Sequence, residues 1–135
     1  MQMSVSGERS YAFNMTRQAD LADDLRIADT HWTRLWGLVG TSSAQFVRGQ
    51  GLWIIPCRGV HTMGMSFAID VIYLSPENTV VHLENSLPPW RFAPVRMSAK
   101  TVLEVPAETI QATGTALGDS IEIHRTSSAK RPFSE

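Results

Sequence analysis

The sequence has one cysteine, Cys57, among 135 residues. A single cysteine excludes an internal disulfide and any zinc site built from several thiolates. Disulfides are typical of oxidising compartments, so their exclusion favours a reducing one. We therefore expect a cytoplasmic protein whose stability comes from an apolar core and not from covalent cross-links.

The chain also lacks a long hydrophobic run, a targeting signal and a strong excess of one charge. Its apolar runs are far shorter than the roughly 20 residues that a membrane-spanning helix needs. The opening sequence MQMSVSGERS does not combine a basic segment with an apolar one, so no secretory signal is predicted. The formal net charge of −1 does not favour binding to phosphate backbones. Neither a membrane nor a nucleic acid is expected as a partner.

What remains is the composition of one globular domain. Hydrophobic residues make up 43% of the chain and charged residues 19%, which is ordinary for a folded domain. A chain of this length buries a core without cross-links. We predict a flexible N-terminus over residues 1–9, a single β-rich domain over residues 10–125 and a disordered tail over residues 126–135.

Apolar runs of short length predict a mainly β fold. A first hairpin is predicted from SYAFNMTR and LADDLRIA, and further strands from LWIIP, VHTMGM, IDVIYL, TVVHLE, TVLEV and SIEIH. Two helices are predicted between them: an amphipathic helix capped by Asp29 and Thr30, and a short helix in PAETIQATG. The predicted fold is a compact antiparallel β-sandwich or barrel of about seven to eight strands.

The segment CRGVHTMGM, which begins at Cys57, concentrates unusual residue types. In a strand, Cys57, His61, Met63 and Met65 share one face, and packing in the core explains that face most simply. Two alternatives compete with packing. A Cys57–His61 nucleophile pair is excluded by about 13 Å of extended backbone, unless Gly59 bends the strand. A Cu(I) site formed by His61, Met63 and Met65 suits imidazole and thioether ligands.

Two carboxylates stand among apolar residues. Asp70 opens the strand IDVIYL and Glu104 lies inside VLEVP, where an unpaired carboxylate would be costly. In a structural interpretation, Asp70 accepts hydrogen bonds from backbone amides or faces an arginine such as Arg58 or Arg34. In a functional interpretation, Asp70 and Glu104 meet at one end of a barrel as acid–base groups.

The segment LPPWRFAPVR predicts a long loop, because its three prolines exclude regular structure. It carries Trp90, Arg91, Phe92 and Arg96, and tryptophan and arginine are enriched at binding hot spots. Loops on a rigid scaffold often carry function. Two interpretations remain open: the loop binds a ligand or partner, or Trp90 folds back as a lid over the sheet.

These segments, in this order, resemble the domain-of-unknown-function family 192 from about Tyr11 to His124. The resemblance rests on NMTRQADLADDLRIADTHWTRLWGLVG, GLWIIPCRGVHTMGMSFAIDVIYL and LPPWRFAPVRMSAKTVLEVPAETIQATGTALGDSIEI. It implies a compact β-rich fold of sandwich or barrel type, and it implies no activity. The chain departs from the family pattern at Thr41, Ala68 and Glu108. The positions shared with the family would be Arg34, Gly37, Leu38, His61, Thr62, Met65, Asp70, Trp90, Arg91, Glu104, Pro106, Gly118 and Asp119.

Together these observations predict a non-catalytic module that binds a small ligand or a protein. The alternatives are an enzyme that uses His61, Asp70 and Glu104 as acid–base groups, and a Cu(I)-binding protein. No other cofactor is expected, and the sequence leaves both catalysis and oligomeric state open. The candidate binding residues are His61, Thr62, Asp70, Trp90, Arg91 and Glu104.

Overall fold

The structure is a computed structural model that describes residues 9–30, 34 and 38–127. The predicted flexible N-terminus and disordered tail, and most of the predicted amphipathic helix, lie outside the described residues. The elements are β1 (Tyr11–Asn14), β2 (Ala19–Ala22), β3 (Asp24–Ala28), β4 (Gln50–Ile54), β5 (Ile69–Leu74), β6 (Val80–Leu87), β7 (Thr101–Pro106), α1 (Thr109–Thr113) and β8 (Ile121–His124).

The strands form two sheets. The smaller sheet has the order β2-β1-β8 and the larger one has the order β3-β4-β7-β5-β6. Neighbouring strands are antiparallel except for β3 and β4, which are parallel. Neither sheet closes on itself, so the fold is an open sandwich. The prediction of a mainly β fold is confirmed, and of its two forms the sandwich is the one observed.

One apolar cluster fills the space between the two sheets. Ala12 and Leu21 of the three-stranded sheet pack with Ile72 and Leu103 of the five-stranded sheet, and all four side chains are fully buried. Removing apolar surface from water stabilises the fold by roughly 25 cal/mol per Å². This shared cluster holds the two sheets face to face.

The predicted returning strand LADDLRIA is divided between the two sheets at Asp23. Its first half is β2, which pairs with β1, and its second half is β3, which pairs with β4. The backbone N–H groups of Asp23 and Asp24 both donate to the carbonyl of Gly49, at 2.8 and 3.0 Å. These two amides bond to the chain that leads into β4 and not to β1, so the chain passes from one sheet to the other here. The prediction of one continuous strand is therefore wrong.

A second apolar cluster lies on the opposite face of the five-stranded sheet. Leu52, Val71 and Val102 belong to it, and side chains from irregular chain segments complete it. We call residues 55–68 and 88–100 the two covering segments, because they lie over this face. They contribute Cys57, Val60, Met65, Phe67, Ala93 and Ala99 to the cluster.

The predicted strand VHTMGM is wrong, because residues 57–68 contain only an isolated bridge between His61 and Phe92. The backbone here pairs with the other covering segment and not with a sheet. Gly59 permits this close approach, since a Cβ at that position would lie 3.2 Å from the Pro94 carbonyl oxygen. The alternation of a strand therefore does not apply, and Thr62, placed on the polar face by the sequence, is fully buried.

The end of the chain follows the sequence prediction more closely. The short helix in PAETIQATG is α1, and Gly114 ends it in the left-handed conformation with φ of 73°. Gly118 and Asp119 then form the turn before β8, and the Asp119 carboxylate accepts hydrogen bonds from Asn14 and Arg17. Among the residues that the structure describes, no helix has the length and apolar content to cross a membrane.

Candidate functional site

The second covering segment exposes four large apolar side chains. Trp90 is 60% exposed, Phe92 75%, Val95 66% and Met97 76%. We call these four side chains, with the exposed arginines beside them, the Trp90 surface; the arginines are Arg58, Arg91 and Arg96. Because Trp90 points outward, the interpretation of Trp90 as a lid over the sheet is wrong. Several large apolar side chains exposed on one short segment are typical of interaction sites.

Thr62 fixes the start of this loop from below. Its hydroxyl donates to the Pro88 carbonyl at 2.6 Å and accepts the Arg91 N–H at 2.8 Å. Its backbone carbonyl accepts the Trp90 N–H at 2.9 Å, and its N–H donates to the Arg91 carbonyl at 2.8 Å. The hydroxyl and the backbone of one buried residue thus satisfy several backbone groups of a loop that has no regular ladder of its own. Thr62, a predicted binding residue, acts on the loop from inside and does not form its outer surface.

The rest of the loop is held along its length. The N–H of Ala93 donates to the Val60 carbonyl at 2.8 Å, and the N–H of Arg96 donates to the Arg58 carbonyl at 2.9 Å. The Tyr73 hydroxyl donates to the Pro94 carbonyl at 2.7 Å. Burial raises the pKa of Tyr73 well above its ordinary value, so the hydroxyl stays protonated and remains a donor. The Trp90 surface is therefore presented by a fixed loop.

Trp90 itself has a strained backbone. Its φ is +63°, in the left-handed region that residues with a Cβ rarely adopt. Such a conformation costs about 1–2 kcal/mol and persists only where surrounding contacts impose it. The hydrogen bonds from Trp90 and Arg91 to Thr62 impose it here. The backbone of this exposed tryptophan is therefore held in one conformation by contacts with a buried residue.

His61 lies beside the Trp90 surface. Its ring is half-buried, and its centroid is 6.4 Å from that of Phe92, its partner in the isolated bridge. The Nδ1 atom accepts the Met63 N–H at 3.2 Å, so the neutral ring carries its proton on Nε2. His61 thus lies at the rim of the exposed loop, next to Trp90 and Arg91 in the predicted set.

Cys57 does not form a nucleophile pair with His61. Its thiol donates to the Gly59 carbonyl at 2.9 Å. Burial raises the pKa of the Cys57 thiol, and the nearby carboxyl of Glu104 raises it further. A thiol with a raised pKa holds less of the reactive thiolate at neutral pH. Cys57 therefore packs as a half-buried apolar side chain, as the simpler interpretation of the sequence proposed.

Asp70 is fully buried and fully occupied. Its Oδ1 accepts the Ser86 N–H and its Oδ2 accepts the Ile110 N–H, both at 2.8 Å. Ser86 has a positive φ of 49° at an irregularity in the pairing of β5 with β6. The carboxylate thus ties a bulge in β6 to helix α1. This matches the structural interpretation of Asp70, and it places Asp70 away from the rim that contains His61.

Glu104 lies on the other face of the same sheet. It is paired with Leu52 on one side and Val71 on the other, and it is 3% exposed. Burial raises the pKa of Glu104 to about 8, so its carboxyl is mostly protonated at neutral pH. Within the described residues its carboxyl has no hydrogen-bond or ion-pair partner. The sheet separates Glu104 from Asp70, so the predicted acid–base group of His61, Asp70 and Glu104 does not assemble.

The predicted Cu(I) site loses its geometric basis. The prediction required His61, Met63 and Met65 to share one strand face, and this segment is not a strand. Met65 is buried in the apolar cluster, whereas His61 and Met63 are more exposed. Among the described residues, no group of three or more His, Cys, Asp or Glu side chains is placed to hold a metal ion.

A second surface feature, which no sequence pattern predicts, is an open groove of about 540 Å³ on the outer face of the three-stranded sheet. Tyr11 donates to Glu122 at 3.1 Å there and stacks on His124 with ring centroids 5.2 Å apart. Its residues come from two distant parts of the chain, residues 9–23 and Glu122, so no local pattern marks them. The lining residues are Arg9, Tyr11, Phe13, Asp20, Asp23 and Glu122.

Comparison with known families gives a single assignment. Residues 13–123 match the model of the family DUF192, described as "Uncharacterized ACR, COG1430". The chain belongs to this family. The resemblance drawn from the sequence is therefore confirmed. Membership in DUF192 brings no catalytic or binding role with it.

Two archaeal relatives cover most of the chain. The UPF0127 protein PF1050 of Pyrococcus furiosus is 31% identical over 117 residues, which cover 83% of this chain and 97% of that protein. A UPF0127 protein of Thermococcus sibiricus is 30% identical over 114 residues, which cover 81% of this chain and 71% of that protein. Neither name states an activity.

Two crystal structures share the fold. A protein of unknown function from Novosphingobium aromaticivorans has a TM-score of 0.73 and 16% identity, and the match covers 90% of this chain and 91% of that one. A Sinorhizobium meliloti protein, described as a proposed transcription regulator, has a TM-score of 0.72 and 19% identity, covering 91% of this chain and 98% of that one. At these identities the likeness shows the fold alone.

Proposed function

We propose that this DUF192 protein is a non-catalytic binding module that presents the Trp90 surface to a protein partner. The observation that carries the proposal is the exposure of Trp90, Phe92, Val95 and Met97 on one hydrogen-bonded loop. Side chains that only filled the core would lie inward, as Ala93 of the same loop does. A fixed loop that turns its largest apolar groups outward is suited to binding.

The residue types of this loop and its fixed conformation both favour binding to a partner. Trp and Arg are the residue types most enriched at interface hot spots, and both occur here at adjacent positions, Trp90 and Arg91. The cost of ordering the loop is met during folding by the contacts from Thr62, Val60 and Tyr73. Preorganisation of this kind raises affinity, because less conformational entropy is lost on binding.

A second candidate function is an enzyme that uses Glu104 as a proton donor. The observation in its favour is a carboxyl that lies between Leu52 and Val71, is 3% exposed, and has a pKa raised to about 8 by burial. Asp70 does not take part in this version, because its oxygens already accept two amides. Binding remains the leading proposal, because Glu104 has no acid–base partner among the described residues.

The test is cross-linking of the purified protein in an extract of its own cells, followed by remeasurement with the captured protein in pure form. We expect one captured partner to be lost with the double variant Trp90→Ala/Phe92→Ala. The matched control is Leu117→Ala, which removes an apolar side chain that is 65% exposed outside the covering segments. If the Trp90→Ala/Phe92→Ala variant captures as much of the partner as the Leu117→Ala control does, the proposal is contradicted.

The proposal extends to the domain organisation and the cellular location of the protein. Residues 10–125 would act as a single domain, with His61 at the edge of the binding surface. A cytoplasmic location would suit the free thiol of Cys57, because reducing conditions keep thiols unpaired. Fractionation of cells and detection of the protein with an antibody would test the location.

A further inference from the structure

The two covering segments carry charge of one sign only. Residues 55–68 and 88–100 contain four cationic side chains and no aspartate or glutamate. Their formal charge is therefore +4 in a chain whose net charge is −1, which leaves −5 for the rest of the chain. The cations are Arg58, Arg91, Arg96 and Lys100.

All four cations are exposed. The backbone hydrogen bond of 2.9 Å from Arg96 to Arg58 makes those two residues neighbours across the covering segments. Arg91 lies between the exposed Trp90 and Phe92. Within the described residues, none of the four cations forms an ion pair. Like charges placed opposite one another are unfavourable, and carboxylates brought by a partner would relieve this repulsion.

We infer that the Trp90 surface binds an acidic segment of a protein partner, one in which carboxylates flank apolar side chains. The inference rests on the proposed function and adds the chemistry of the partner. Three of the four cations are arginines, whose planar guanidinium pairs with a carboxylate through two parallel hydrogen bonds. The exposed apolar side chains supply the apolar surface that binding would bury, and the arginines select partners with negative charge.

The arrangement of the loop favours a protein over a membrane or a nucleic acid. Apolar and cationic residues alternate along a loop anchored at Val60, Thr62 and Tyr73, so insertion of its apolar side chains into lipid would carry the charged Arg91 and Arg96 with them, which is costly. Trp90 and Phe92 carry flat rings on which a base could stack, but Val95 and Met97, which are also exposed, are aliphatic and do not. Aromatic, methionine and arginine side chains, which this surface combines, are the residue types enriched at protein interfaces.

The test measures binding of the full chain to an array of synthetic peptides that share their apolar residues and differ in net charge. We expect acidic peptides to bind, with affinity falling as salt is added, and basic peptides not to bind. The charge-reversal variant Arg91→Glu/Arg96→Glu should weaken acidic binding by about tenfold or more, which is 1.4 kcal/mol or more. Arg48→Glu, an exposed arginine outside the covering segments, should leave it unchanged.

Other outcomes overturn the inference in distinguishable ways. If acidic and basic peptides bind equally and only Trp90→Ala/Phe92→Ala weakens them, the charge assignment fails and the proposed function survives. If neither variant changes binding, or no peptide binds, both fail. Arginine-dependent binding to phosphatidylserine vesicles or to a single-stranded oligonucleotide, without acidic peptide binding, assigns the surface to those ligands. A dimer that is lost in the Trp90 variant by light scattering makes a second copy the partner.

Discussion

Asp70 and Glu104 occupy neighbouring strands, yet their carboxyl groups lie on opposite faces of the five-stranded sheet. Asp70 is paired with Val105, and Glu104 is paired with Val71. Because side chains alternate along a strand, this offset of one residue places one carboxyl in each apolar cluster. Asp70 finds two amide donors there and Glu104 finds none among the described residues. Loss of the Asp70 carboxyl should therefore destabilise the fold, and so should ionisation of the Glu104 carboxyl, which burial keeps mostly protonated at neutral pH.

Replacement of Asp70 should destabilise the protein. The Asp70→Ala variant leaves the Ser86 and Ile110 N–H groups without their acceptor. An unsatisfied buried group costs about 1–3 kcal/mol. Because Ile110 is buried and Ser86 is exposed to water, we expect a loss of about 1–3 kcal/mol in the free energy of unfolding. Urea unfolding at neutral pH measures it. The control is Asp20→Ala, which removes an exposed carboxylate on β2 and should change stability little. If Asp70→Ala changes stability as little as this control does, the role assigned to Asp70 is wrong.

Glu104 should make the protein less stable as pH rises. The pKa of Glu104 is about 8 in the folded state, whereas the ordinary pKa of a glutamate is 4.5. At pH values between these two, the folded protein keeps a proton that the unfolded protein has lost. Stability falls across that window by roughly 1.4 kcal/mol per pH unit and levels off above it. Unfolding measured at several pH values should show this slope in the wild type.

The matched variant for this experiment is Glu104→Gln, which keeps the size of the side chain and removes the titration. Its stability should change less steeply with pH across the same window, and its advantage over the wild type should grow as pH rises. If both proteins have the same slope, the carboxyl of Glu104 is paired or hydrated in solution and is not neutral at pH 7.

The parts of the fold that the sequence predicted share a local signal. The strand at Ile69–Leu74 reads as a continuous apolar run because it is buried on both faces, and the loop around Trp90 is marked by its prolines. The helix ending at Gly114 has a residue suited to its left-handed conformation. In each case the residues that carry the pattern are also the residues that form the structure.

The errors arise where distant segments decide the structure. The apolar residues of VHTMGM pack on the sheet from a loop, and a loop that covers a core can carry the same residue types as a strand. The partners of Thr62 lie 26–29 residues further along the chain, so nothing near Thr62 indicates its role. The separation of Asp70 from Glu104 follows from strand register, which a list of strands does not contain.

Cys57 should react slowly with alkylating reagents. Burial raises the pKa of its thiol, and the thiol hydrogen bonds to the Gly59 carbonyl, so little thiolate is exposed at neutral pH. We expect iodoacetamide to modify the folded protein more slowly than the unfolded protein at the same pH, with the difference measured by intact mass. Equal rates would show that the thiol is accessible and reactive in the folded state.

Thr62→Val should loosen the loop while leaving the core packed. Valine keeps the shape of the side chain but removes the hydroxyl that binds the Pro88 carbonyl and the Arg91 N–H. Hydrogen exchange at the Arg91 amide should accelerate, whereas exchange at the Ala93 amide, bonded to the Val60 carbonyl, should change little. Uniform acceleration at both amides would mean that the whole loop depends on Thr62.

The strain at Trp90 leads to a test that separates backbone conformation from binding. Glycine adopts a φ of +63° without penalty and alanine does not, so Trp90→Gly should be more stable than Trp90→Ala by about 1 kcal/mol. Both variants should lose the partner, because both lack the indole ring. Thermal unfolding and the binding assay measure the two effects in the same samples. If the alanine variant is the more stable one, Thr62 does not hold the left-handed conformation in solution, and the indole is not oriented before binding.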